Sequence, residues 1–390
     1  MYIYKHLNIW YNYIMKKSYA LMVLFIILGL NNFLLYEHIV TKDLKIIRDL
    51  VFEYDTKPLI KDTTMDETEG IFDTSKLGEQ LYIDDHYYIK YKVVDTKKPL
   101  ILGGNTKTTT LGKEIKLVDK FLCGDNYDDE PKKTIEGEYD INKVGSYKLT
   151  YKAEDSSGNI ETKEFTLKVV EPSNDSSTPS EVKRTPLKTY IKKYKNSKTS
   201  IGIDVSAWQD DIDWKKVKND GVEFAMIRIG FGHTNAGEIK LDNWYKNNIK
   251  KAKEQGIKVG LYFYSYASSI KEVKEQTKWI LETLNHEPLD LPIAFDWEDW
   301  GDFNSYKVSF KKLNNIARTF IEEVEKEGYT GMLYGSAYYL NRIWEDYDKT
   351  WLAYYTDNND YEKPYMMWQL TSTGEVKGID GSVDIDILYK

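Results

Sequence analysis

Between residues 200 and 390, strand-type and helix-type patterns alternate along the chain. Candidate strands are Ile201–Val205, Glu223–Ile229, Lys258–Tyr264, Leu291–Asp296, Gly331–Tyr334, Trp351–Tyr354, Tyr365–Gln369 and Val383–Leu388. Helical patterns lie near Asp213–Asp220, Asp242–Gln255, Ile270–Asn285 and Phe310–Glu327. In the last of these, Leu313, Ile316, Ala317, Phe320, Ile321 and Val324 recur every three or four residues, the stripe of a helix that buries one face. Such alternation builds a largely parallel sheet covered by helices, and eight strands suffice to close a barrel. A full eight-helix barrel usually takes about 250 residues, so the expected α/β fold is a small, irregular barrel with some helices missing.

Within that frame, Leu291-Pro292-Ile293-Ala294-Phe295-Asp296-Trp297-Glu298 reads as a buried strand ending in two carboxylates. Strand side chains alternate faces, so Asp296 and Glu298 share one side, with Cα atoms about 6.5–7 Å apart. Two acids at the C-terminal end of a barrel strand are placed as a glycosidase places an acid and its partner. Asp204 ends the first strand, and Asp384 lies in the last, in Val383-Asp384-Ile385-Asp386-Ile387. First and last strands are neighbours in a closed barrel, so Asp204 and Asp384 are expected to meet beside Asp296 and Glu298. An aspartate inside a β-branched run is unfavourable unless it serves a purpose. Asp386 shares the face of Asp384.

These residues fall in motifs that resemble glycoside hydrolase family 25. The motifs are G-I-D-V-S-x-W-Q at 202–209, F-D-W-E at 295–298, W-L-A-Y-Y at 351–355, M-W-Q at 367–369 and G-x-V-D-I-D at 381–386. The resemblance covers 200–390 in the family's order. It implies an irregular (β/α)5β3 barrel and cleavage of the β-1,4 bond between N-acetylmuramic acid and N-acetylglucosamine in peptidoglycan. Carried over by motif, Glu298 is the general acid. Asp296 stabilises the developing cation or orients the substrate's acetamido group, and Asp204 and Asp384 flank the pair and bind sugar. Crowded carboxylates raise the pKa of one member, which stays protonated while the others remain charged. The chain departs from the family at Asp386, where many relatives carry Asn, and at Phe263, where relatives often carry His.

Aromatic side chains make up 14% of the chain. Those near strand ends are candidate sugar platforms: Trp208, Tyr262, Tyr264, Tyr334, Trp351, Tyr354 and Trp368. Packing inside the barrel is the competing role of each, since aromatics also favour strands. Residues 200–390 carry 23 basic and 32 acidic side chains, which argues against nucleic acid as a partner. With one cysteine, five histidines and no histidine pair at ligand spacing, neither a metal nor another cofactor is expected. A non-catalytic wall-binding protein with a silenced barrel is the competing reading, against which all four matched acids count. The D-x-x-D-x-D-x-E run of chitinase-type hydrolases is absent at 290–298.

Upstream of the barrel the chain changes character. Residues 18–36 carry no charge and are long enough to span a bilayer. Lys5, Lys16 and Lys17 precede them, so residues 1–17 are expected in the cytoplasm and the rest outside. A cleaved signal peptide is the alternative. Residues 37–92 open with a charged stretch of helical character and continue as a stalk with a partial copy of the following module. Residues 93–170 alternate apolar and polar residues and resemble bacterial immunoglobulin-like modules, read as a spacer. Residues 171–199 are expected to form a polar, basic linker that acts as a solvated stalk, with attraction to anionic wall polymers or lipid headgroups as the competing role.

Overall fold

The structure is a computed structural model that describes residues 45–58, 72–83, 87–172, 182–232 and 238–390. The expected membrane span at 18–36 lies outside these residues. Among the described residues, no helix is long and apolar enough to cross a membrane. The chain divides into two compact units, Met1–Thr96 and Lys97–Lys390.

In the first unit, strands β1 (Lys45–Glu53), β2 (Gly78–Ile83) and β3 (Tyr87–Val94) form one sheet in the order β1-β3-β2. The helical expectation for this stretch is corrected, because β1 pairs in parallel with β3. Phe52 of β1 packs on Phe72 and Tyr91 at 5.1 and 5.5 Å between ring centroids, and this burial outweighs the local charge pattern.

The second unit begins all-β. Strands β4 (Leu100–Leu102) and β6 (Leu122–Gly124) form a two-stranded sheet. Strands β5 (Thr106–Thr110), β7 (Lys132–Glu136), β8 (Gly145–Glu154) and β9 (Ile160–Val170) form a four-stranded one in the order β5-β9-β8-β7. Period-two burial along β8 and β9 turns Leu149, Tyr151, Phe165 and Leu167 onto a core shared with Ile101, Phe121 and Cys123.

The expected polar linker is partly folded. Strand β10 (Thr185–Pro186) pairs with the barrel, and helix α1 (Leu187–Tyr194) follows. Leu187, Tyr190, Ile191 and Tyr194 recur at three- and four-residue spacing and pack on the barrel's core. Lys193 and Lys195 of this basic segment form ion pairs with Asp357 and Glu223.

The barrel then runs β11 (Thr199–Val205), α2 (Trp214–Asp220), β12 (Phe224–Gly232), β13 (Ile239–Leu241), α3 (Tyr245–Glu254), β14 (Lys258–Tyr264) and α4 (Ile270–Leu284). It continues through β15 (Ile293–Asp296), α5 (Phe303–Tyr306), α6 (Phe310–Lys326), β16 (Gly331–Ser336) and α7 (Ala337–Leu340). Strands β17 (Thr350–Ala353), β18 (Met367–Glu375) and β19 (Val383–Tyr389) end the chain. Seven strands pair in parallel in the order β11-β12-β14-β15-β16-β17-β18. Strand β19 lies antiparallel between β18 and β11 and completes the circuit.

Each strand's alternation sorts its residues into two layers. Ile203, Phe295, Leu333, Leu352 and Ile385 face outward and pack with the apolar stripes of the helices. The inward residues at the N-terminal end of the parallel strands fill the interior with Phe224, Met226, Ala294, Met332, Met367 and Leu388. At the opposite end the same inward positions become Asp204, Tyr262, Asp296, Gln369 and Asp386. The sequence therefore switches from filling the barrel to lining a polar floor. Gly202 pairs with Phe224 in the β11–β12 register, and a Cβ there would stand 2.5 Å from the Phe224 ring. Gly202→Val is expected to lower stability by roughly 1–3 kcal/mol through overpacking. A urea midpoint equal to that of the parent would contradict this placement.

Candidate active site

The two-residue period places the acids. In the antiparallel pairing of β11 with β19, Asp204 lies opposite Asp384 and Gly202 opposite Asp386. Asp296 closes β15 between Tyr264 and Tyr334 in the register. Glu298 follows one residue beyond Trp297, whose fully buried indole donates to the Ala267 carbonyl at 3.1 Å and anchors the turn. The four acids predicted from sequence thus come together at the C-terminal mouth of the barrel, with Asp386 as a fifth.

Asp204 and Asp386 form the deepest layer. Gln369 Nε2 donates to Asp204 Oδ2 at 2.8 Å, and Trp351 Nε1 donates to Asp386 Oδ1 at 2.8 Å. Burial raises both pKa values well above the usual carboxylate range, and the neighbouring acids Asp386 and Asp384 add to the shifts of Asp204 and Asp386 respectively. Crowding of buried carboxylates favours the protonated form of this layer. Gln369 orders this layer from above. Its Oε1 accepts from Tyr334 and Tyr355 hydroxyls at 2.9 and 2.8 Å, which leaves Nε2 aimed at Asp204. Neither Gln369 nor Tyr355 was singled out for a role by sequence. Gln369 stood inside the M-W-Q motif, and its inward phase relative to Trp368 was the available signal.

Nearer the opening, burial pushes Glu298 up to about 7. Asp296 is also shifted upward, first by burial and then by the neighbouring Glu298 and Asp204 charges, with Arg228 opposing. Asp296 Oδ1 is buried with no hydrogen-bond partner among the described residues. Burial and Asp204 push Asp384 up to about 8. Arg228, the nearby cation, is held by Asp242 through Nε and Nη2 at 2.9 and 2.8 Å, and Asp242 also accepts the Ala207 amide at 2.9 Å. That link fixes the start of the turn bearing Trp208. The turn itself is closed by a reciprocal capping box between Ser206 and Gln209.

The aromatic candidates separate by exposure. Trp208 is 83% exposed, a free ring face at the mouth. Tyr262 and Tyr264 are half-buried beside the acids, and Tyr334 and Tyr354 line a cleft of about 930 Å³ that opens from Glu298. Trp351 and Trp368 are corrected as sugar platforms, being only 1% and 3% exposed. Trp351 holds Asp386, whereas Trp368 points out of the barrel, donating to the Tyr354 carbonyl and meeting the Tyr194 ring edge-on. The exposed rings of Tyr338 and Tyr355 line the same cleft and had not been selected. Tyr338 sits in the single turn of α7 and Tyr355 on the loop after β17, neither long enough to give a period to read.

An acid cluster at the C-terminal mouth of a β/α barrel is placed where a glycosidase carries its acids. Residues 203–379, a little under half of the chain, match the family described as glycosyl hydrolases family 25, and this stretch carries a glycoside hydrolase. The chain is 29% identical over 210 residues to the uncharacterized protein YegX of Escherichia coli K12, covering 52% of this chain and 74% of that one. It is 27% identical over 192 residues to the autolytic lysozyme of Clostridium acetobutylicum, covering 47% of this chain and 54% of the lysozyme. Among solved structures, the modular autolysin LytC of Streptococcus pneumoniae aligns at 23% identity and TM-score 0.44, covering 62% of this chain and 56% of that one. A family 25 glycosyl hydrolase of Bacillus anthracis aligns at 19% identity and TM-score 0.44, covering 50% and 92%.

Proposed function

We propose that this chain is a peptidoglycan N-acetylmuramidase, a lysozyme cleaving the β-1,4 bond between N-acetylmuramic acid and N-acetylglucosamine. The observation that carries this reading is Glu298, a carboxyl whose burial pushes its pKa to about 7, standing above a deeper acid at the end of an open cleft. A general acid works best with a pKa near the operating pH. Glu298 gives its proton to the glycosidic oxygen as the C1–O bond breaks. The carbonyl oxygen of the substrate's N-acetyl group bonds to C1 from the other face, while Asp296 accepts that group's N–H and offsets the developing positive charge. Water then opens the ring formed at C1 and returns a proton to Glu298. Asp204, Asp384 and Asp386 set the charge of the floor, and Trp208, Tyr262, Tyr264, Tyr334 and Tyr354 bound the glycan.

The expected partner is therefore a glycan strand of the bacterial wall. The uncharged run at 18–36, with lysines before it, supports export with the barrel outside the membrane. The reading predicts the alkaline limb of the pH profile. Glu298 must be protonated to act, so kcat/KM on purified peptidoglycan is expected to hold below about pH 7 and fall roughly tenfold per unit above it. A rate undiminished at pH 9 would rule Glu298 out as the proton donor.

A further inference from the structure

Glu298 lies beyond the last residue of β15 and before α5, so no regular element fixes it. What holds the segment after it is the all-β module at residues 97–170. The side-chain amide of Asn304, in α5, spans the edge of β6. Its Oδ1 accepts the Cys123 amide at 2.9 Å and its Nδ2 donates to the Phe121 carbonyl at 2.8 Å. Two rungs of strand pairing are thus made by one side chain. Beside it, the Phe303 and Phe310 rings lie directly on Gly124, where a Cβ would stand 2.6–2.7 Å from them. The Phe310 amide donates to the Asp125 carbonyl at 2.7 Å, the Ser309 amide to Asp129 Oδ1 at 3.0 Å, and Lys312 pairs with Asp129. Leu102 and Leu122 of the module are buried in the barrel's own core, not in the module's.

The same segment reaches back to Glu298. Tyr306, two residues past Asn304, donates to Asp299 Oδ2 at 2.6 Å, and its ring packs on Trp297 at 5.1 Å. Trp300 donates its amide to the Glu298 carbonyl at 2.7 Å and stacks on Tyr339 at 4.1 Å. Glu298 is therefore flanked by two tryptophans whose neighbours the module clamps. A spacer joined only through a chain would make none of these contacts.

We propose that the 97–170 module is a support for the catalytic loop, and that Asn304 is the positioning residue through which it holds Glu298 in its half-buried place. This rests on Glu298 being the acid, and the test is built so that the two claims fail separately. Full-length chain carrying ¹³C-labelled glutamate would be titrated by NMR, with the Glu298 carboxyl assigned by its disappearance in Glu298→Gln. In Asn304→Ala the loop loses both rungs, and water reaches the carboxyl. Its midpoint is expected to fall by a unit or more from the parent's, and kcat on peptidoglycan about tenfold with KM within twofold. Asn304→Asp, which keeps the acceptor to Cys123 and loses the donor to Phe121, is expected to fall between the two. An unchanged midpoint and unchanged kcat in both variants, with only the melting temperature lowered, would overturn the proposal and leave a plain structural joint. Full activity in Glu298→Gln would sink the acid assignment instead, and the titration would still decide whether the module positions that loop.

Discussion

Glu298→Gln is expected to lower kcat on peptidoglycan about 10³-fold, within the 10²–10⁴ that a positioned general acid contributes. The amide is nearly isosteric and keeps the loop between Trp297 and Trp300 packed, so KM and the unfolding midpoint should stay within twofold and about 1 °C of the parent. The residual rate carries the diagnostic. A substrate whose leaving group needs no proton, such as a dinitrophenyl glycoside of the same sugar, should be cleaved by the variant nearly as fast as by the parent. Equal loss on both substrates would assign Glu298 a role other than proton donor. Asp296→Asn should behave oppositely, because Asp296 acts on the cation and the acetamido group whatever the leaving group. Its deficit is expected on both substrates.

The second large effect is on stability. The folded-state pKa of Asp384 is raised, to about 8, by burial and by Asp204. A raised carboxyl contributes stability that is complete below its unfolded value near 4 and is lost as pH rises through the folded value. The parent is thus expected to weaken between about pH 4 and 8. Asp204, Asp296 and Asp386 share the direction of the shift. Asp384→Asn removes the charge that the fold resists. At pH 9 it is expected to gain on the order of 5 kcal/mol over the parent, from about four pKa units at roughly 1.4 kcal/mol each, and at pH 4 almost nothing. Urea unfolding at the two pH values reads this directly. Equal destabilisation at both would mean that the Asp384 carboxylate is held by favourable contacts and not tolerated at a cost. Stability gained by neutralising a site acid while activity falls is the usual signature of a strained functional cluster.

Much of this was readable from the chain, for definite reasons. The barrel strands were legible because their outward positions are Ile, Leu, Val and Phe, and the helices because Leu313 to Val324 keep one period over about three turns. The acids were legible as interruptions: Asp204, Asp296 and Asp384 occupy inward positions where the other end of the same barrel carries Met and Phe. Helix α1 was hidden because its lysines dominate eight residues whose apolar face needs the barrel to show itself. Strand β1 was hidden by its charges, and its pairing partner lies more than thirty residues away. The aromatic platforms were the least legible, since Trp351 and Trp368 sit one residue from inward or outward alternatives and only burial separates holding Asp386 from packing on Tyr194. The docking of the module could not be read at all. It depends on Gly124 and Asn304, which are 180 positions apart and unremarkable singly.

The central claim is most directly tested by digesting purified Gram-positive peptidoglycan with the full chain and with Glu298→Gln, then identifying the new reducing ends by mass spectrometry. New N-acetylmuramic acid ends from the parent and none above background from the variant are the predicted result. N-acetylglucosamine ends, or intact glycan from both proteins with the chain pelleting on the wall, would contradict it.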